Sequence, residues 1–150
     1  TCVMGLDVHR DIIVACLVKG AVDAEPEAET RTFSTLIPEM QKLRDWVIES
    51  ECRNIAMEST GIYWQPIYEM LESCFDGEIS ILVVNARHMK NVPGRKTDMK
   101  DAQWIATLLR AGLLKGSFIP DKAFRELRHL TRYRKSVVHD ITAQKNRIDK

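Results

Sequence analysis

"CVMGLDVHRDIIVACLV", residues 2–18, decides how this chain is read. It is rich in Val, Ile, Leu and Cys, and the polar stretch DVHRD interrupts it once. Two short apolar runs about one polar break predict two strands joined by a tight turn, a hairpin. Asp7 falls near the end of the first strand. A carboxylate among apolar strand residues is costly to bury without a partner. A salt bridge to Arg10 is the simplest local explanation for it.

Working outward, VDAEPEAET (22–30) reads as a polar loop and TRTFS (30–34) as a third, edge strand. LIPEMQKLRDWVIES (36–50) spaces Leu36, Met40, Leu43, Trp46 and Val47 by threes and fours, the mark of an amphipathic helix. RNIAME (53–58) is a buried strand ending at Glu58, and STG (59–61) is a turn. YWQPIYEMLES (63–73) is a second helix, with Pro66 in or near its first turn, where proline is tolerated. EISILVV (78–84) is the fifth strand. A basic loop with Pro93-Gly94 follows, then a helix from about Thr97 to Ala111 and a turn at Gly112. From Asp121 onward no Gly or Pro interrupts. Leu127, Leu130, Arg134, Val137, Ile141 and Ile148 recur there at near-heptad spacing, which predicts a helix of about thirty residues.

The order β-β-β-α-β-α-β-α, closed by a long helix, predicts an α/β fold with a mixed five-stranded sheet flanked by helices. The ribonuclease H-like fold has this order. Residues 1–117 are read as one domain. Residues 118–150 are read as the start of a long helical, coiled-coil region, and the chain as a fragment of a longer protein.

With 150 residues and 45% apolar content, the chain holds enough for one good core. Its longest apolar runs, such as ISILVV (79–84), are too short to span a membrane. No signal peptide is recognisable. Cys2, Cys16, Cys52 and Cys74 have no CxxC spacing and lie in or beside apolar segments, so they read as reduced thiols of a cytosolic protein. The net charge of +1 conceals an asymmetry. Residues 1–85 carry 6 Lys and Arg against 15 Asp and Glu, and residues 86–150 carry 16 against 6. Such a basic half points to nucleic acid or another anionic partner, unless the two halves neutralise each other.

Neighbouring strands in this topology bring Asp7 and Glu58 together at one end of the sheet. Like charges that close repel unless a cation lies between them. Asp98 and Asp101 stand at i and i+3 on the expected helix and face one way. If that helix crosses the sheet end, four carboxylates converge. Hard divalent ions such as Mg²⁺ or Mn²⁺ take oxygen ligands of this kind. Two ions about 3.5–4 Å apart clamp an in-line phosphoryl transfer. Arg87, Lys90, Arg95, Lys96 and Lys100 would then hold a nucleic acid backbone. A plainer reading stands beside this one. Thr97 or Asp98 is a good N-cap, and Asp101 can close a capping box.

GLDVHRD, MESTGIYW, VNARHMKNVPGRKTDMKDAQWIATLL and ELRHLTRYRKSVV closely resemble the N-terminal domain of the insertion-sequence-110 transposases. These are DEDD recombinases, a group that includes the Piv invertase. The resemblance covers nearly the whole chain. It implies a RuvC-like domain of ribonuclease H-like fold, with Asp7, Glu58, Asp98 and Asp101 as the metal-binding, catalytic acids. It also implies a further C-terminal domain with a catalytic serine, multimeric assembly on DNA, and a structured guide RNA. The activity implied is DNA strand cleavage and transfer by a cytoplasmic prokaryotic enzyme that works at the nucleoid.

His9 and His88 lie near the expected site, as bases, ligands, phosphate contacts or locally packed residues. Ser59 and Thr60 have no evident base beside them, so they read as a turn and helix cap rather than a nucleophile. Tyr63 and Trp64 stack on a base or belong to the core. Arg125, Arg128, Arg132, Arg134 and Lys135 form a basic stripe on the last helix, for RNA or DNA or for solvent. The apolar seam of that helix suits another protomer. An actin-like sugar kinase is disfavoured, because the DVHRD turn has no glycine to approach a phosphate. A junction resolvase and a non-catalytic nucleic-acid-binding module remain as alternatives.

Overall fold

A computed structural model describes residues 1–21, 23–58, 60–94 and 99–148. The opening stretch forms β1 (Cys2–Val8) and β2 (Ile12–Lys19), antiparallel, with Asp7 opposite Val14 and Val8 opposite Ile13. β3 (Glu27–Ser34) pairs with the whole length of β2, from Ile12 with Ser34 to Lys19 with Glu27. It therefore begins three residues before the TRTFS stretch, because β2 offers ladder partners that far. β4 (Asn54–Glu58) and β5 (Ser80–Val84) add in parallel on the other side of β1. The sheet order is β3-β2-β1-β4-β5, the expected mixed sheet with β1 at its centre.

Side chains alternate across a strand, so each strand divides its residues between two faces. On one face Val3, Cys16 and Val18 pack with Ala102 and Ala106 of α4 (Asp101–Arg110). Ala56 and Val84 continue this face into a cluster with Trp104, Ile105 and Leu108 of α4 and Met89 of α3 (Ala86–Lys90). The other face carries Met4, Leu6, Val8, Ile13, Ile55 and Met57, all fully buried. α1 (Ile37–Glu49) covers this side, with Trp46 tilted against Phe33 at 6.1 Å between ring centres. α2 (Trp64–Phe75) lies beside α1 and buries Ile67 and Leu71. Burying each such side chain contributes about 1.5–3 kcal/mol, so both faces stabilise the sheet.

Gly5 marks where α4 comes closest. A Cβ there would overlap the Ala102 carbonyl oxygen and stand 2.5 Å from the Ala106 backbone nitrogen, closer than the 3.0 Å that real Cβ atoms respect. Only glycine lets the helix rest on the strand backbone at this point.

Two local expectations are corrected. The basic stretch after β5 is not all loop, since residues 86–90 form α3. The Asn85 side chain accepts a 2.8 Å hydrogen bond from the Arg87 backbone, and Met89 is drawn into the core. The next helix starts at Asp101 rather than Thr97. Its N-cap is Lys100, in extended backbone and with no side-chain cap, so the capping box is not made. Met99 packs against the Trp104 cluster and holds the chain extended before the helix. Asp98, with Arg95, Lys96 and Thr97, lies outside the described residues. Met99 and Lys100 are not helical, so Asp101 is the first helical residue of α4.

The chain divides into two compact units, Thr1–Ser117 and Phe118–Lys150. The second contains α5 (Lys122–Ile148), 27 residues, begun by Asp121, whose carboxylate accepts from the Phe124 backbone at 2.9 Å. Leu127, Leu130, Tyr133, Val137, Val138 and Ile141 are exposed along it. Among the described residues no helix is long and apolar enough to cross a membrane.

Candidate metal and nucleic-acid site

The parallel pairing of β1 and β4 runs Met4 with Ile55, Gly5 with Ala56 and Leu6 with Met57. The next step along both strands is Asp7 and Glu58. Asp7 shares the face of Val3 and Gly5, and Glu58 shares the face of Ala56, so both acids point to the α4 side of the sheet. There the first residue of α4 is Asp101. An acid in the first turn also lies at the favourable end of the helix dipole. Asp7, Glu58 and Asp101 line one cavity of about 370 Å³, together with His9, Thr60, Lys90, Met89, Val92, Trp104 and Ile105.

Asp7 is buried, at 9% exposure. Its carboxyl is raised above the ordinary 3.8, first by burial, with the Asp101 and Glu58 charges adding to the effect. The His9 ring works against this, donating from Nε2 to Asp7 Oδ2 at 3.0 Å. His9, and not Arg10, is thus the partner of Asp7. Arg10 lies 3.8 Å from Asp11 in the turn. Residue i+2 falls on the side of the strand that residue i occupies, which is the signal that favours His9. Glu58 accepts a hydrogen bond from the Thr60 hydroxyl, which braces the acid.

Of the basic residues read from the sequence, Lys90 lines the cavity. Arg87 and Lys100 are exposed nearby in sequence but do not line it. Arg95 and Lys96 lie outside the described residues. Arg128 and Arg132 are exposed on α5, in the second unit. His88 does not line the cavity, and its Nε2 is shielded without a hydrogen-bond partner among the described residues. Tyr63 is partly exposed, and Trp64 packs edge-on against Tyr68. The apolar wall of Met89, Val92, Trp104 and Ile105 was not foreseen. Only the apolar periodicity of α4 hinted at it.

The donor chemistry fits a hard divalent cation. Three carboxylates face one space, and one of them is held against ionisation by burial and by the other two. Among the described residues no group of three or more His, Cys, Asp or Glu is close enough to close a metal site. Asp98, the fourth acid of the resemblance, is not among them.

Solved structures agree with the fold. RuvC from Thermus thermophilus superposes with a TM-score of 0.53 at 12% identity, over 78% of this chain and 100% of that chain. T. thermophilus RuvC in complex with a Holliday junction substrate gives 0.52 at 13% identity over the same shares. The first unit is therefore built around a RuvC-like, ribonuclease H-like sheet. No curated protein matches the chain. Residues 4–150 match the model of the insertion-sequence-110 DEDD family, described as transposase, and the chain belongs to that family. Its class is that of proteins that cleave and recombine DNA.

Proposed function

We propose that residues 1–117 are the catalytic domain of a metal-dependent DNA transposase, with Asp7, Glu58, Asp98 and Asp101 holding Mg²⁺ or Mn²⁺. The observation that carries this reading is the convergence of Asp7, Glu58 and Asp101 on one cavity with Lys90 on its wall. A bound divalent ion supplies Lewis-acid stabilisation of an in-line displacement at a DNA phosphodiester. The chain's own residues do the rest. Asp7 and Glu58 are set by strand register. His9 and Thr60 orient their carboxylates. Lys90 neutralises a backbone phosphate at the mouth, and Arg87, Arg95, Lys96 and Lys100 extend the basic track. The apolar wall keeps water from one side of the cavity.

Residues 118–150 begin a helical region in which Leu127, Leu130, Val137 and Ile141 meet a second copy of the chain, and Arg128 and Arg132 face nucleic acid. A structured guide RNA enters this proposal from the family resemblance alone. A junction-resolving nuclease would use the same acids, and cleavage of four-way junctions in preference to transposon ends would favour it.

The test is a Mn²⁺ soak of crystals of this chain, read by anomalous scattering. One or two peaks bound by these four acids are expected. Carboxylates splayed apart or paired to Arg and Lys, with no peak, would remove the metal assignment.

A further inference from the structure

Asp7 and Asp101 come from different elements, and what sets their separation is a contact between bare backbones. Gly5 lies two residues before Asp7 on the same face of β1. The Ala102 carbonyl it faces belongs to the residue after Asp101, and the Ala106 nitrogen lies one turn further along the helix. We infer that Gly5 is a positioning residue for the proposed cation site: by lacking a side chain it lets α4 seat deeply enough on β1 to bring Asp101 to Asp7. This rests on the metal reading above.

What a Cβ at Gly5 would meet decides whether α4 must move. Flexible side-chain tips can turn aside, but here both near atoms are helix backbone. Relief therefore requires the first turns of α4 to lift as a body, and Asp101 is the first residue to move. The seam is small on both sides. Ala102 and Ala106 are fully buried, with Val3, Cys16 and Val18 packed around them. The neighbours leave the helix little room to shift sideways. Asp7 and Asp101 line the same cavity, so a change in their spacing alters how both present oxygens to a cation. A misplacement of about 1 Å is enough to matter at such a site.

A glycine that only served packing would lower stability and leave cation affinity alone, so affinity is the readout. Mn²⁺ binding to the chain is titrated calorimetrically for wild type, Asp7→Asn, Gly5→Ala, Ala106→Cys and Leu71→Ala, with melting followed in parallel. Leu71 is fully buried on the opposite side of the sheet and serves as a packing control. Gly5→Ala is expected to bind roughly 10–100-fold more weakly, the usual loss when a residue supporting a metal ligand is changed. Ala106→Cys, an intrusion from the helix side that rotation about χ1 partly relieves, gives an intermediate loss. Leu71→Ala melts earlier yet binds as wild type does. A folded Gly5→Ala with wild-type affinity overturns the inference. If Gly5→Ala does not fold, unchanged affinity in Ala106→Cys overturns it instead. Wild-type binding that survives Asp7→Asn would sink the metal reading itself, and the inference with it.

Discussion

The sheet and the α3–α4 arm hold their acids in different ways. β1 and β4 set Asp7 and Glu58 side by side through a ladder that allows no intermediate register, since a slip of one residue would turn the acid of the slipped strand to the other face. Each has a partner two residues on, His9 for Asp7 and Thr60 for Glu58. Asp101 has no ladder to fix it. It is placed by the seat of α4 on β1, through Gly5 and the two alanines, and by Met99 and Met89 anchored in the core before the helix. Hydrogen bonds of a sheet fix position stepwise, whereas packing fixes it by volume. The arm is thus the half of the site that a small change in side-chain size can move.

The largest effects should come from removing an acid of either half. Asp7→Asn and Asp101→Asn should each reduce DNA strand cleavage by on the order of 10³-fold, equivalent to several kcal/mol of lost transition-state stabilisation. Gel-based cleavage of labelled transposon-end DNA checks this. Full activity in Asp101→Asn beside loss in Asp7→Asn would take the arm out of the site.

The same pair separates in stability. The folded carboxyl of Asp7 is raised above 3.8, so the native state keeps its proton to higher pH than the unfolded chain does. Native protein then binds more protons through that window, and stability falls as pH rises from about 3.8 through the raised folded value. At pH 7 without metal, ionised Asp7 is a burden on the fold. Asp7→Asn keeps an oxygen for His9 and removes the charge, so its melting temperature should exceed wild type by a few degrees, about 1 kcal/mol. Below pH 3.8 the gap should close. Added Mg²⁺ should raise wild type and leave the variant unmoved, because only a group that binds the ion gains from it. Asp101→Asn, at an exposed helix start, should show no such gain, because it gives up the favourable end of the α4 dipole. A metal-free Asp7→Asn that melts below wild type at neutral pH would mean that the His9 pairing outweighs burial.

The difference between the halves also governed what could be read from the sequence. The strands are short apolar runs between polar breaks, and their alternation with helices gave the sheet its order. Asp7 and Glu58 stood out because acids are rare in such runs. The arm was harder. TDMKD offers several good caps, yet the N-cap of α4 is Lys100, because packing of Met99 and the Ala102–Ala106 seam decides where α4 starts. ARHMK looked like loop because five residues show no periodicity, and only Asn85 as a cap and the lone Met89 hinted at α3. Arg10 seemed the natural mate of Asp7 on charge, but strand parity favours His9.

The proposed self-association through α5 tests a surface away from this comparison. Leu130 is 66% exposed on a helix with five other exposed apolar residues between 127 and 141. Leu130→Glu should shift the chain toward monomer in sedimentation and leave melting of the first unit unchanged. An unaltered assembly would exclude this seam as the contact.

The smallest effect sharpens the arm from its basic side. Lys90 is exposed, ends α3 and lines the cavity that the three acids share. A cation there gains nothing from burial, so its use lies in what it meets from outside. If it meets a phosphate, Lys90→Ala should weaken DNA binding several-fold across sequences and reduce the slope of log affinity against log salt by about one counterion. If instead it only neutralises Asp101 and its neighbours, the salt slope should stay as it is. Mn²⁺ affinity should then fall when Lys90 is kept and rise when it is removed, since a fixed cation competes with a bound one for the same carboxylates. Salt-dependent binding and Mn²⁺ titration on one variant therefore decide whether the arm brings only an acid to the site or also the first contact with DNA.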